Sequence, residues 1–223
     1  NTETGELKTL LESGMGGAFT YSPDGSQIAL VSPTSVGLVQ ADGNNLRSNL
    51  VTYPMVLTYS EYQYYPWVVW ERDGNAFWVV VPSEDAIAPD ASMAYWRMDV
   101  ANGMPALMAT FPFDLSLFFA GPVLSPNLLH TVYLQRTQSE ANLWTLHVAE
   151  LDGTPDRSMR IGNLRLEDWN PDGTWFTIQQ EGVYWVGDLA GNFIPMTDMQ
   201  PAIDVRWIDP GRFLFLSGDY EAM

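Results

Sequence analysis

Apolar residues along this chain fall into short runs of strand length rather than into long amphipathic segments. The runs are built from β-branched and aromatic residues, which are typical of strands, and turn-forming residues bound them. A helix would place apolar residues three and four positions apart over several turns, and the runs are too short for that spacing. The pattern therefore predicts an all-β chain. The clearest runs are residues 27–31, 76–80, 131–134, 175–178 and 213–216.

A short turn phrase precedes each of these five runs. It reads YSPDG at 21–25, WERDG at 70–74, WNPDG at 169–173 and WIDPG at 207–211, with a weaker copy, LSPNL, at 124–128. The copies are 38 to 54 residues apart, and propeller blades repeat every ~40–50 residues. After each of the first four copies, a further strand-like run leads to a second turn, where glycine or asparagine supplies the positive φ of a hairpin. Each phrase therefore marks one copy of a larger repeat.

These repeats predict a β-propeller, in which blades of four antiparallel strands are arranged around a ring. A β-sandwich has no such internal register, and a helical repeat needs a period of 3.6 residues. We expect about five blades and, because no linker-like composition divides the 223 residues, a single propeller domain. Its expected parts are an outer strand at 1–12, blades at about 17–50, 66–110, 120–160 and 164–198, and a partial blade at 202–223.

The two ends of the sequence leave the number of blades open. Residues 1–12 resemble the outer strand of a blade, and residues 202–223 contain two inner strands. Together they would close a ring of five blades, or the sequence is part of a larger ring. The second interpretation is slightly favoured, because a natural chain rarely starts at a turn and stops before a core strand.

The aromatic-Ser-Pro-Asp-Gly phrase at 21–25, followed by Ile28-Ala29 and later by Asp42-Gly43, resembles the WD-like repeat of TolB-type β-propellers. The resemblance extends over nearly the whole chain, at the level of the single blade. It implies the propeller fold, a role in protein interaction and an extracytoplasmic location, since TolB is a periplasmic interaction component. Similar blades form the propellers of prolyl-oligopeptidase-type peptidases, so the alternative is the substrate-gating part of a serine peptidase or another hydrolase.

The charge of the chain excludes several classes of partner. The net charge is −17, and Lys8 is the only lysine. Nucleic acid binding needs a basic surface, so it is not expected, and anionic membranes are disfavoured for the same reason. No apolar run reaches the ~20 residues of a membrane-spanning helix, so membrane insertion is not expected. There is no cysteine, which excludes disulfides and thiolate chemistry.

Residues that carry common enzyme chemistry are sparse. The two histidines, His130 and His147, fall in predicted strands, which favours packing over a catalytic pair. Neither a Gly-x-Ser-x-Gly elbow, a phosphate-binding loop nor a His-Glu-x-x-His helix occurs. The glycine-rich residues 14–17 have no lysine after them and indicate a connection between blades. The sequence therefore favours a non-enzymatic protein without a cofactor.

Two groups of carboxylates nevertheless deserve mention as candidate sites. One consists of Glu84, Asp85 and Asp90, and the other of Glu167, Asp168 and Asp172. A hydrolase that uses paired carboxylates is a third and weaker hypothesis. A calcium ion could bind the first group, but the spacing does not match an EF-hand, and a solvated acidic loop is the simpler interpretation. In the second group, Asp172 belongs to the turn phrase and is expected to cap the backbone there.

The strongest binding candidate is the aromatic segment TYSEYQYYPW at residues 58–67. It connects two blades, and in a propeller this connection emerges on the same face as the acidic loop at 82–90. Tyrosine and tryptophan offer a large contact area with a polar tip, which suits a protein, peptide or glycan partner. Alternatively, these rings and those of the equivalent segment 111–119 fill the space between blades. The predicted binding residues are Tyr59, Glu61, Tyr62, Tyr64, Tyr65, Trp67, Glu84, Asp85 and Asp90.

Overall fold

The computed structural model describes residues 4–5, 7–9, 17–56, 64–83, 88, 90–112, 123–137, 143–152, 154, 156–197 and 202–217. They form four four-stranded antiparallel sheets and one two-stranded sheet, each built from strands consecutive in sequence. This arrangement confirms the predicted all-β propeller of four-stranded blades. Within these ranges, no helix is long and apolar enough to cross a membrane.

Contacts within the chain group it into two compact units. The first consists of Asn1–Ala86 with Met93–Thr110, and the second of Ile87–Ser92 with Phe111–Met223. The expectation of one domain over residues 1–223, with the blade bounds given above, stays a prediction.

The first unit contains two sheets, whose strands pair in the order β1-β2-β3-β4 and β5-β6-β7-β8. All seven residues of β6 are buried, and so are four of the five residues of β2. Ala29, Val36, Phe77 and Met98 belong to one core that both sheets share. The strands are β1 (Ala18–Tyr21), β2 (Gln27–Val31), β3 (Ser35–Gln40), β4 (Arg47–Thr52), β5 (Val68–Trp70), β6 (Ala76–Pro82), β7 (Ser92–Asp99) and β8 (Pro105–Pro112).

The second unit contains two complete sheets, β9 to β12 and β13 to β16, and the two-stranded sheet β17-β18. Leu146, Trp169, Phe176 and Ile178 belong to the core that the two complete sheets share. The strands are β9 (Val123–Leu124), β10 (His130–Arg136), β11 (Trp144–Glu150), β12 (Arg157–Gly162), β13 (Leu164–Trp169), β14 (Trp175–Gln180), β15 (Val183–Asp188), β16 (Phe193–Pro195), β17 (Ala202–Asp209) and β18 (Arg212–Ser217).

The repeated turn phrase forms the hairpin between the first and second strands of a sheet. In the first copy, the Asp24 carboxylate accepts hydrogen bonds from the Ser22 hydroxyl at 2.6 Å and from the Ser26 amide at 3.0 Å. These bonds stabilise the ionised form and lower the pKa of Asp24 to about 2. Gly25 has a φ of +71°, a conformation that glycine adopts without steric cost. The phrase therefore specifies the geometry of the turn.

The weaker copy, at 124–128, has the same turn without its glycine. Leu128 has a φ of +58°, and its amide donates to the Ser125 carbonyl at 2.9 Å, as Gly25 donates to Ser22. The side chain of Asn127 replaces the usual aspartate and accepts from the Ser125 hydroxyl at 2.7 Å. A leucine therefore occupies a left-handed conformation that L-residues disfavour.

The fifth copy, at 207–211, departs from the others. Trp207 and Asp209 are paired within the ladder of β17 and β18, and the Gly211 amide donates to the Asp209 carboxylate at 3.0 Å. Proline follows aspartate here instead of preceding it, so the turn falls later in the phrase. The fifth copy therefore resembles the others in sequence but does not form the same turn.

The only lysine lies against the turn between β3 and β4. The Lys8 ammonium donates to Asn44 Oδ1 at 3.0 Å and to the Asp42 carbonyl at 3.4 Å. The Asp42 carboxylate accepts from the Asn44 amide at 2.8 Å. This backbone hydrogen bond lowers the pKa of Asp42, and the positive charge of Lys8 acts in the same direction.

Candidate functional site

Two tyrosines of the predicted aromatic segment are packed against the first unit. The Tyr64 hydroxyl donates a hydrogen bond to the Val80 carbonyl at 3.2 Å, and burial raises the pKa of Tyr64. Tyr65 packs against the core of the first unit, and a Cβ at Gly17 would lie 2.0 Å from its ring atom Cε1. Both rings are therefore anchored, and glycine is needed at position 17 for the close approach of Tyr65.

Trp67, in contrast, is 70% exposed. The preceding Pro66 is buried, and the following Val68 begins β5 and pairs with Val79 of β6. The backbone of Trp67 is thus held on both sides while its indole ring is open to solvent. An exposed tryptophan on a fixed backbone offers a large apolar contact whose ordering costs little on binding.

Of the remaining predicted binding residues, the structure describes only Asp90. Asp90 is exposed and belongs to the second unit. The other predicted residues, Tyr59, Glu61, Tyr62, Glu84 and Asp85, lie outside the described residues. The predicted aromatic and anionic rim therefore stays a prediction, as does calcium binding at Glu84, Asp85 and Asp90.

Each carboxylate of the second group, Glu167, Asp168 and Asp172, contacts a residue one or two positions away in the sequence. The Asp172 carboxylate accepts from the Thr174 hydroxyl at 2.6 Å and from its amide at 3.1 Å, which lowers the pKa of Asp172. Asp168 accepts from the Trp169 amide at 2.8 Å. Glu167 lies 3.2 Å from the Arg165 guanidinium, but burial raises its pKa. Among the described residues, no three His, Asp or Glu side chains are placed to hold a metal ion.

The two histidines occupy adjacent strands but different contacts. His130 Nδ1 is buried without a hydrogen-bond partner in the described part of the chain, and burial lowers the pKa of His130. His147 stacks on Tyr133, with ring centroids 4.9 Å apart, and its Nδ1 lies 2.7 Å from Asp156 Oδ2. The structure therefore does not pair the two histidines with each other.

Tyr133, His147 and Asp156 form a cluster of three side chains in contact. The Tyr133 hydroxyl donates to the same Asp156 oxygen, and the Phe111 ring lies 5.3 Å from that of Tyr133. Sequence reasoning missed Asp156, which precedes β12 and meets His147 only through the pairing of β11 with β12. The register of that hairpin includes an irregularity at His147, so spacing along the sequence does not reveal the contact.

The second unit also contains a cavity of about 370 Å³ between the sheet β13 to β16 and the strands β17 and β18. Its walls are mainly apolar and aromatic, and the Trp207 indole nitrogen beside it is buried without an acceptor among the described residues. Sequence reasoning did not find this cavity, because its walls come from five separate runs. Its lining includes Trp175, Val186, Ile194, Met196, Trp207 and Phe213.

Solved structures similar to this chain include peptidase propellers and a TolB-type protein. The β-propeller domain of the Trilobed protease from Pyrococcus furiosus is 12% identical, with a TM-score of 0.59 over 90% of this chain and 62% of that one. Pyrococcus horikoshii acylaminoacyl peptidase is 11% identical, with a TM-score of 0.58 over 90% of this chain and 35% of that one. Putative TolB from Agrobacterium tumefaciens is 16% identical, with a TM-score of 0.53 over 98% of this chain and 76% of that one.

These likenesses establish the fold. The chain resembles TolB-like β-propellers and the propellers of peptidases, as the turn phrase implied. It spans less than two thirds of the length of the Trilobed protease's propeller domain and of the acylaminoacyl peptidase chain. No protein-family model and no curated protein matches the sequence.

Proposed function

We propose that this chain is a non-enzymatic binding module whose propeller presents Trp67 to a protein or peptide partner. The observation that carries the proposal is the 70% exposure of Trp67 on a backbone fixed by buried Pro66 and by the pairing of Val68. Tryptophan is enriched among the few residues that dominate binding energy at interfaces. A glycan that stacks on the indole is the alternative ligand.

The packed tyrosines next to Trp67 support this role indirectly. Tyr64 and Tyr65 are held by the first unit, so they give the segment a rigid base rather than a contact surface of their own. A surface that is ordered before binding loses little conformational entropy when the partner arrives. Trp67 is therefore the described aromatic of this segment that is best placed to contact a partner.

The charge of the molecule favours a basic partner. With 27 acidic and 10 basic side chains, the chain produces a negative field that attracts cationic surfaces and speeds their association. The same imbalance and the TolB-like fold support an extracytoplasmic location, in the periplasm, at the cell surface or in the medium. Neither nucleic acid nor a membrane interior is proposed as a partner.

A selection from a library of random peptides displayed on phage tests this function. We expect enriched peptides to be basic and to lose at least about tenfold in affinity for the Trp67→Ala variant, because a central tryptophan commonly dominates an interface. Phe19→Ala is the matched control, since Phe19 is a similarly exposed aromatic of the same unit. The proposal is overturned if no peptide is enriched, or if Trp67→Ala and Phe19→Ala bind the enriched peptides as well as the wild type does. A glycan array with the same variants tests the alternative ligand.

A second candidate function is the substrate-gating propeller of a larger peptidase. It is favoured by the likeness to the propeller domain of the Trilobed protease and to acylaminoacyl peptidase, of whose chains this chain spans 62% and 35%. The coding frame around this segment distinguishes the two candidates. A Gly-x-Ser-x-Gly elbow followed by Asp and His, with hydrolysis of chromogenic peptides by the whole protein, would favour the peptidase. Their absence from the complete frame would leave the binding module.

A further inference from the structure

Asn102 and Gly103 form the only Asn-Gly pair in the chain. They lie in the turn between β7 and β8, where Asn102 is exposed and Gly103 has a φ of +68°. The corresponding turn between β3 and β4 uses Asp42 and Gly43 instead. Both turns need glycine for its positive φ, so the backbone explains Gly103 but does not distinguish asparagine from aspartate at the position before it.

An asparagine side chain can be attacked by the backbone nitrogen of the residue that follows it. A bond forms between Gly103 N and Asn102 Cγ, the C–N bond of the side-chain amide breaks, and ammonia leaves with the proton of the Gly103 amide. Water then opens the cyclic imide on either side, which gives aspartate or isoaspartate. A side chain on the attacking residue hinders this step, and every other asparagine of this chain precedes a residue that has one.

The Asp-Gly pairs of the chain are protected from the same cyclisation. An aspartate must expel water from its protonated side chain, because an ionised carboxylate is a poor target for a nucleophile. Hydrogen bonds to these carboxylates favour the ionised form and lower their pKa values, so they stay ionised at neutral pH. The Asp-Gly aspartates are Asp24, Asp42, Asp73, Asp152 and Asp172.

Two groups beside Asn102 favour the attack. The Met104 amide donates to Asn102 Oδ1 at 2.7 Å, and negative charge develops on this oxygen when Cγ is attacked, so the Met104 N–H stabilises it. The Arg47 guanidinium of β4 lies against the same turn. It donates to the Val100 carbonyl, and its Nη1 lies 3.0 Å from the position that a Cβ at Gly103 would occupy. A cation there favours the deprotonated form of the attacking nitrogen.

One hydrogen bond opposes the attack. The Gly103 amide donates to the Asp99 carbonyl at 2.8 Å, and the Asn102 amide donates to Asp99 Oδ1 at 3.0 Å. The bond from Gly103 must break before its nitrogen can reach Cγ. Exposed turns open locally without unfolding of the whole chain, so the reaction proceeds from an opened turn.

We propose that Asn102 is a site of spontaneous deamidation in the folded protein, assisted by Arg47 and by the Met104 amide. The product adds one negative charge to the net charge of −17, and isoaspartate lengthens the backbone of the turn by one carbon. The new carboxylate forms beside Arg47, whose hydrogen bond to Val100 links β4 to the turn between β7 and β8. The protein therefore changes its charge and this contact irreversibly with time, whether or not Trp67 binds a partner.

Peptide mapping by mass spectrometry, after incubation of the folded chain at neutral pH, tests the proposal. We expect Asn102 to convert to aspartate and isoaspartate while Asn45 stays intact. Asn45 is the matched internal control, because it is an exposed asparagine of the turn between β3 and β4 that precedes Leu46. The proposal is overturned if Asn102 stays intact in the folded chain over a time in which it converts in urea, since the turn would then protect it.

Variants at position 47 test the assistance by Arg47. Arg47→Gln should slow the conversion in the folded chain about fivefold, which is the effect of removing one charge about 4 Å away in water. Arg47→Lys should retain most of the wild-type rate because it keeps the charge. In urea the three chains should react equally, since the turn that holds Arg47 near Gly103 is absent. An Arg47→Gln variant that reacts as fast as the folded wild type, or faster, would refute the role of Arg47.

Isoelectric focusing gives a readout on the intact protein. We expect the aged wild type to acquire a more acidic form, because a neutral amide becomes a carboxylate. Asn102→Gln should not acquire it, since the longer side chain forms the cyclic imide far less readily. Labelling by an isoaspartate-specific methyltransferase should likewise appear in the aged wild type and be absent from Asn102→Gln. An acidic form that appears equally in both chains would assign the change to other residues and overturn the proposal.

Discussion

At the scale of single residues, the repeated turn shows how one phrase can be satisfied by different side chains. Gly25 and Gly173 adopt positive φ at the end of the phrase, and Leu128 adopts it in the weak copy. The same backbone hydrogen bond closes all three turns. The fold therefore imposes the turn on Leu128, at the cost of an unfavourable backbone conformation.

The Leu128→Gly variant should therefore be more stable than the wild type. Removing the left-handed conformation of an L-residue recovers about 1–2 kcal/mol, and the greater freedom of glycine in the unfolded chain offsets about 0.5–1 kcal/mol of that gain. We expect the free energy of unfolding to rise by up to about 1.5 kcal/mol in urea titrations. The reverse change, Gly25→Ala, should lower it, although no atom lies within 4 Å of the added Cβ. A less stable Leu128→Gly variant would mean that the leucine side chain contributes more than the turn conformation costs.

At the scale of elements, the sheets pack through aromatic rings that need small residues opposite them. Gly187 of β15 is buried, and a Cβ there would lie 2.6 Å from Phe193 and 2.9 Å from Phe176. Phe176 belongs to the core of the second unit, and its ring lies 6.1 Å from that of Phe193. The glycine therefore leaves room for both rings.

Replacing Gly187 by alanine should destabilise the second unit. Overpacking of a filled core costs about 1–3 kcal/mol, because the rings must leave their preferred rotamers. Gly211→Ala is the matched control, since the nearest atom to its added Cβ is 4.0 Å away. Chemical denaturation followed by tryptophan fluorescence measures both variants. Equal stability of the two would show that the Phe176 and Phe193 rings can move without cost.

At the scale of the whole molecule, acidic side chains outnumber basic ones by 27 to 10, and several of them stabilise turns. Hydrogen bonds to the ionised carboxylates lower the pKa values of these aspartates below the usual value of 3.8. Burial acts in the opposite direction at Glu167, whose pKa is raised. The members of the turn group are Asp24, Asp73, Asp152, Asp172 and Asp188.

The protein should lose stability steeply in acid. A carboxylate whose pKa is lower in the folded state stabilises the fold above its unfolded pKa, and this contribution is lost as the pH falls through the folded value. For Asp24 that window runs from about 4 down to about 2. We expect the melting temperature to fall most between these values, with a smaller loss below about 6.5 from His130, whose pKa burial lowers. Asp24→Asn should show a smaller fall, and an unchanged profile would assign the loss to other groups.

The sequence predicted the fold because the turn phrase and the strand runs are local signals. The binding surface depended on contacts between distant residues, and there the sequence was less informative. Tyr64 and Tyr65 share a segment with Trp67, yet contacts with Val80 and Gly17 leave the first two rings half-buried, whereas the third is exposed. The contact between His147 and Asp156 likewise depends on the pairing of β11 with β12, which composition and spacing do not encode.

The single lysine against the β3–β4 turn has a practical consequence for finding a partner. Cross-linkers that join two amines would have Lys8 as their only side-chain anchor on this protein, and its ammonium is already engaged by Asn44 and Asp42. The 27 carboxylates offer many anchors instead. Carbodiimide coupling, which joins carboxylates directly to the lysines of a neighbouring protein, is therefore the chemistry by which mass spectrometry should map a basic partner on this surface.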